Sequence, residues 1–132
     1  MRAADTNLLI RLLTQDDPRQ FPIAREFFAV NEVFVPVTVL LETEWVLRRT
    51  YRFERKRIAS ELRRLLALPS ITIDQADRVL QALDWVEAGL DFADALHLAG
   101  SAECSDFVTF DAALACTAAD AAPPVTFLES NG

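Results

Sequence analysis

Four carboxylates stand where this sequence turns from short apolar runs into helix-like patterns. Asp5 follows Met1-Arg2-Ala3-Ala4 and Asp111 follows Phe107-Val108-Thr109-Phe110. Asp94 falls early in Asp91-Phe92-Ala93-Asp94-Ala95-Leu96-His97, and Glu42 lies one turn inside an apolar helix pattern opened by Thr38. If the apolar runs are parallel strands, Asp5 and Asp111 end strands on the same edge of a sheet, where ligands gather in α/β domains. Asp94 and Glu42 lie near helix starts that face that edge, so four carboxylates can meet in one cleft. Like charges so placed repel and raise one another's pKa. A divalent cation relieves the repulsion, and oxygen-only ligation suits Mg²⁺ or Mn²⁺. Carboxylate-held metal makes its bound water more acidic and neutralises charge on a phosphate, which supports phosphodiester hydrolysis. A carboxylate not fully engaged with metal then positions or deprotonates that water.

Several of these acids also have an ordinary explanation. Asp5 and Asp91 are good helix N-caps, and Asp94 in a first turn complements the helix dipole. Glu44 precedes Arg48 by four residues, the favourable order for an exposed pair, and needs no function. Glu42 has no such partner on a helix that is apolar nearly all round, and Arg49 two turns on is the ordinary candidate. His97, three residues after Asp94, reads as structural on a buried helix. Trp45 and Trp85 read as core or interface residues.

The elements that must position these groups alternate along the chain. A strand through Asp5 leads to a helix over about Asn7–Leu13. Asp16-Asp17-Pro18 opens a second helix whose Phe21, Ile23, Ala24, Phe27 and Phe28 point to the core. Glu32–Pro36 is a buried strand, and Thr38 caps a helix to about Tyr51. A basic amphipathic helix spans about Glu54–Leu68. Ile71–Ile73 is a strand, Asp74 caps the helix Gln75–Ala88, and Gly89 stops it. Phe107–Phe110 is a further interior strand, followed by an alanine-rich helix to about Asp120. Pro123-Pro124 turns the chain into the last strand, Val125–Phe127. This alternation predicts an α/β fold, a single three-layer α/β/α domain over residues 1–132 with a short, mainly parallel sheet.

Composition bounds the rest. The chain has 132 residues, 52% of them apolar, and only three glycines. That length suffices to bury roughly two-thirds of the surface of the unfolded chain. No apolar run approaches the roughly 20 residues that span a bilayer, and the start lacks a signal-peptide pattern. Cys104 and Cys116 lack metal-ligand spacing and read as reduced, partly buried thiols of a cytoplasmic protein. The net charge of −7 argues against a protein that coats nucleic acid. The basic residues are unevenly placed, however: eight of thirteen lie between Arg48 and Arg64. Arg48, Arg49 and Arg52, following Glu42, are candidate contacts for substrate phosphates. No glycine-rich phosphate loop is present, so an NTPase is disfavoured.

Asp5-Thr6-Asn7, Val39-Leu40-Leu41-Glu42, Asp91–His97 and Val108-Thr109-Phe110-Asp111 resemble the motifs of PIN-domain ribonucleases, most of all the VapC toxins of bacterial toxin–antitoxin pairs. The resemblance covers nearly the full length, with order and spacing matched. It implies a Mg²⁺- or Mn²⁺-dependent endoribonuclease, usually a homodimer, acting on RNA and silenced by a VapB-like antitoxin whose C-terminal segment occupies the cleft. Carried over, Asp5, Glu42, Asp94 and Asp111 are the acidic quartet and the metal ligands. Asp91 assists, and Thr6 and Thr109 orient ligands by hydrogen bonds. The first strand, Arg2-Ala3-Ala4, is less β-branched than the family usually shows. Two other classes fit an acidic α/β domain. A phosphoacceptor domain usually needs a lysine near its site, whereas the only lysine, Lys56, lies in the basic helix. A non-catalytic interaction domain would keep costly clustered carboxylates idle.

Overall fold

The computed structural model describes residues 1–129. Its elements alternate in the order β1 (Arg2–Ala3), α1 (Thr6–Thr14), α2 (Gln20–Val30), β2 (Val33–Val35), α3 (Val37–Arg49), α4 (Arg55–Leu66), β3 (Ile71–Ile73), α5 (Ala76–Glu87), α6 (Phe92–Ala99), β4 (Phe107–Thr109), α7 (Ala112–Thr117) and β5 (Val125–Phe127). All the strand pairs are parallel: β1 with β2, β2 with β3, and β4 with β5. The expected α/β class with short parallel strands is therefore present. The chain forms two compact units, residues 1–76 and residues 77 onward.

In the first unit β2 is the middle strand of the order β1-β2-β3. Val33 and Val35 alternate into the core, as a pleated strand requires. Helix α1 packs on α2 and α3, α3 on α4, and α4 on β3. Helix α4 buries Ile58, Ala59, Leu62 and Leu65 and leaves Arg55, Lys56, Arg57 and Arg64 outside, the amphipathic division its spacing predicts. A polar cluster ties the end of α3 to α1. Arg11 Nη1 donates to the Tyr51 hydroxyl (3.2 Å), which donates to Asp16 Oδ2 (2.8 Å), while Arg11 Nε donates to Gln20 Oε1 (2.6 Å). Tyr51 and Thr14 raise Arg11 and lower Asp16 respectively from their usual pKa ranges by hydrogen bonding.

In the second unit, α6 buries Phe92, Ala95, Leu98 and Ala99, and α7 packs on the β4–β5 ladder. Gly89, at φ +116°, ends the α5 segment in a conformation that L side chains rarely adopt.

Several expectations are corrected. Thr38 lies inside α3 and does not cap it; Pro36 holds the cap position, with no side-chain hydrogen bond. Ile23 is 68% exposed, because the inward stripe of α2 runs through Ala24 and Phe28. Phe27 is half-buried, with the Arg2 guanidinium 4.9 Å from its ring centroid. Trp45 is 52% exposed, which removes the core half of the core-or-interface reading. β4 is not an interior strand: Val108 is exposed, as befits a strand in a two-stranded ladder. Cys104 and Cys116 are free but exposed. His97 is exposed as well, so its helix is buried on one side only. The cut of the strands is shorter than expected: β1 ends at Ala3 and β4 at Thr109, each two residues before its aspartate.

The largest correction concerns α3. Its buried stripe is Leu40, Thr43, Glu44 and Leu47, an i, i+3, i+4, i+7 set. Glu44 is thus buried, at 5% exposure, and Arg48 Nε donates to its Oε2 at 2.9 Å. Glu42 falls off that stripe and is exposed. The expected Glu44–Arg48 pairing exists, but it is the internal pair, and the unpartnered acid is the accessible one.

Candidate active site

The acids lie on both units. In the first, Asp5 is the N-cap of α1, its Oδ1 accepting from the Thr6 N–H at 2.7 Å, and its carboxylate is exposed. The residue after it, Thr6, is buried. Glu42 stands on the exposed side of α3, a helix that packs on α1. Both carboxylates are therefore held by rigid helices and open to solvent.

In the second unit, Asp91 caps α6, its Oδ2 accepting from the Ala93 and Asp94 N–H groups at 3.1 and 3.4 Å. Asp94 sits in the first turn of the same helix and is half-buried. Asp111 caps α7 through Oδ1, which accepts from the Leu114 N–H at 3.0 Å. The Asp111 N–H donates to Thr109 Oγ1 at 2.9 Å, so Thr109 fixes the turn from which Asp111 projects. Burial pushes the Asp94 carboxyl above the usual carboxylate range, and the nearby charges of Asp91 and Asp111 push it further, against a smaller opposite pull from His97. Asp94 is thus within electrostatic reach of both Asp91 and Asp111.

The caps expected at Asp5 and Asp91 are made, and Asp111 proves to be a cap as well. In Asp5 and Asp111 the cap uses one carboxylate oxygen, and the second is a hard donor. The acidic, oxygen-only donor set and the repulsion recorded at Asp94 fit a divalent cation. Among the described residues, no group of three or more His, Cys, Asp or Glu is drawn together tightly enough to hold a metal by itself. Mg²⁺ is commonly bound through one or two carboxylates together with substrate phosphates, so such a cage is not a requirement of the chemistry.

The expected phosphate contacts differ in availability. The Arg48 guanidinium is committed to Glu44, whereas Arg49 and Arg52 are exposed. Arg52 has φ +60°, directly after the anchored Tyr51, and Arg57 stacks its guanidinium 3.7 Å from the Phe53 ring centroid. Sequence reasoning missed this aromatic and polar anchoring; the signal lay in Tyr51 and Phe53 interleaved with the arginines.

A model of the PIN domain matches residues 3–119, running through both units and through all four acids. The chain belongs to the PIN-domain family. No curated protein and no solved structure matches it. The expected α/β/α class is that of this family. PIN domains are generally metal-dependent nucleases, hydrolases that use divalent ions and act on RNA or DNA. No helix of the described PIN chain is long and apolar enough to cross a membrane.

Proposed function

We propose that this PIN domain is a Mg²⁺- or Mn²⁺-dependent endoribonuclease of the VapC type, the toxin of a toxin–antitoxin pair, with both units forming one domain. The observation that carries the reading is the family match that runs through Asp5, Glu42, Asp94 and Asp111, with Asp91, Asp94 and Asp111 at the starts of α6 and α7. In this reading Asp5 and Asp94 are the principal metal ligands, and Glu42 and Asp111 complete the acidic quartet. The bound cation supplies Lewis-acid polarisation of the scissile phosphate and a more acidic water. The chain's own residues do the rest. A carboxylate oxygen of the quartet takes a proton from the attacking water as its oxygen bonds to phosphorus. The phosphorus–oxygen bond to the leaving ribose breaks, and that ribose oxygen leaves with a proton. Thr109 holds the Asp111 turn in place, Thr6 lies buried behind Asp5, and Asp91 stiffens the first turn of α6. Arg49 and Arg52 take flanking phosphates, with Arg48 held back by Glu44.

The partner surfaces follow from exposed apolar groups. Asn7, Leu8, Arg11, Gln20, Ile23 and Ala24 line a cavity of about 270 Å³ between α1 and α2, suited to a segment of a VapB-like antitoxin. Exposed Ile23, Val30 and Trp45 suit a homodimer. The toxin would act in the cytoplasm, where its RNA substrates are.

The deciding experiment is cleavage of RNA and of DNA pools by the purified chain with Mg²⁺ or Mn²⁺, with EDTA and Asp94→Asn as controls. RNA cleavage lost in both controls is expected. Cleavage of DNA alone, or cleavage surviving EDTA, overturns the reading.

A further inference from the structure

We propose that Phe110 is a base-stacking residue of the substrate site, its ring taking one unpaired base of the RNA strand next to the phosphodiester handled at Asp111. The inference rests on the nuclease reading and names a specificity element within it. Phe110 is 71% exposed, more than the other large aromatic side chains. An aromatic ring left in water forgoes the stabilisation its burial would provide, and with Val108, Phe127 and Leu128 also exposed it belongs to an apolar patch rather than standing as a lone surface residue.

The position of Phe110 indicates what the ring is for. The residues on either side are pinned: the Asp111 N–H donates to Thr109 Oγ1, the Leu128 N–H donates to the Thr109 carbonyl at 2.9 Å, and Asp111 Oδ1 accepts from Leu114. The ring therefore projects from a fixed root rather than from a floppy loop. Consecutive Cα atoms are about 3.8 Å apart, so a phosphate engaged at Asp111 has its own or the adjacent base within reach of the ring. Stacking on an aromatic face suits any base and needs the base unpaired, which selects single strands over duplex. A second copy of the chain is the less suitable occupant. Val108, Phe110, Phe127 and Leu128 are exposed apolar side chains near this turn, four residues against the roughly 20–30 a side of a stable protein interface.

The test compares the native chain with Phe110→Ala, Phe110→Leu and Phe110→Trp, using short single-stranded RNA oligonucleotides and the same sequences annealed as duplex. Phe110→Ala and Phe110→Leu are expected to raise KM about tenfold with little change in kcat, as the loss of one stacked base implies. Phe110→Trp should keep the native KM and add a fluorescence component that RNA quenches. An abasic nucleotide scanned along the oligonucleotide should weaken binding at one position for the native chain and at none for Phe110→Ala. Native KM in Phe110→Ala, or the same abasic penalty in both proteins, overturns the inference while leaving the nuclease reading standing. A change of sedimentation in Phe110→Ala without a change of KM overturns it in favour of a protein contact. If the native chain binds RNA without cleaving it, the quench and the abasic scan still decide the role of Phe110, and the nuclease reading alone fails.

Discussion

Asp94 carries opposed demands on stability and on chemistry. Its folded-state pKa lies above the roughly 3.9 of an unfolded aspartate, first through burial and then through Asp91 and Asp111. The folded form therefore binds its proton more readily than the unfolded chain does. That contribution to stability is fully present below the unfolded pKa and is lost as pH rises through the folded one. Asp94→Asn removes the charge without changing shape, so Tm at neutral pH should rise by a few degrees while cleavage disappears, a trade common at active sites. Thermal melts from mildly acidic to neutral pH should show the native protein losing ground to the variant as pH rises; an equal gap at all pH values would assign the variant's effect to something other than charge. Glu44 makes the opposite case. Glu44→Leu takes from Arg48 the buried carboxylate that its Nε meets at 2.9 Å, so it should cost about 3 kcal/mol, the low end for a broken internal pair because Arg48 keeps some exposure. Urea unfolding measures it, and a loss below about 1 kcal/mol, as for an exposed pair, would contradict this account.

Helix α4 breaks a local rule at its start. Its first turn carries Arg55, Lys56 and Arg57, no acid, and its N-cap Glu54 makes no side-chain cap bond. Cations there oppose the helix macrodipole. Lys56→Glu should accordingly raise stability by about 0.3–1 kcal/mol while weakening RNA binding. Unfolding and filter-binding measurements on one preparation would read both, and a variant that binds RNA as well as the native chain would remove Lys56 from the substrate path. Helix α3 shows how little the composition of an element says about its direction. Leu40, Thr43, Glu44 and Leu47 define the inward stripe, yet the helix is apolar on most sides, so neither Glu42 nor Glu44 could be placed from spacing alone. The amphipathic α4, with its charges on one side, was legible to within two residues at each end.

Across the whole molecule, an acidic chain of net charge −7 keeps eight of its thirteen cations between Arg48 and Arg64. Single-stranded RNA held by Arg49, Arg52 and Lys56 should bind with log K falling against log salt at a slope of about −2, from roughly 0.7 per phosphate engaged. Lys56→Glu should flatten that slope by about 0.7. A slope near zero would mean that binding, where it occurs, does not run along this stretch.

The sequence by itself determined the alternation of elements and the class of the fold. Those follow from local rules: apolar periodicity and capping chemistry. β3 and β5 were readable to the residue, because Ile71-Thr72-Ile73 and Val125-Thr126-Phe127 are short β-branched and aromatic runs between turn residues. Tertiary structure alone decided which acid on α3 is buried, that Trp45, Ile23 and Phe110 face solvent, and that Asp94 is desolvated beside two other carboxylates. Burial is a property of what packs against a residue. On a helix or strand apolar in several directions, that choice is made by residues distant in sequence, which no local pattern contains.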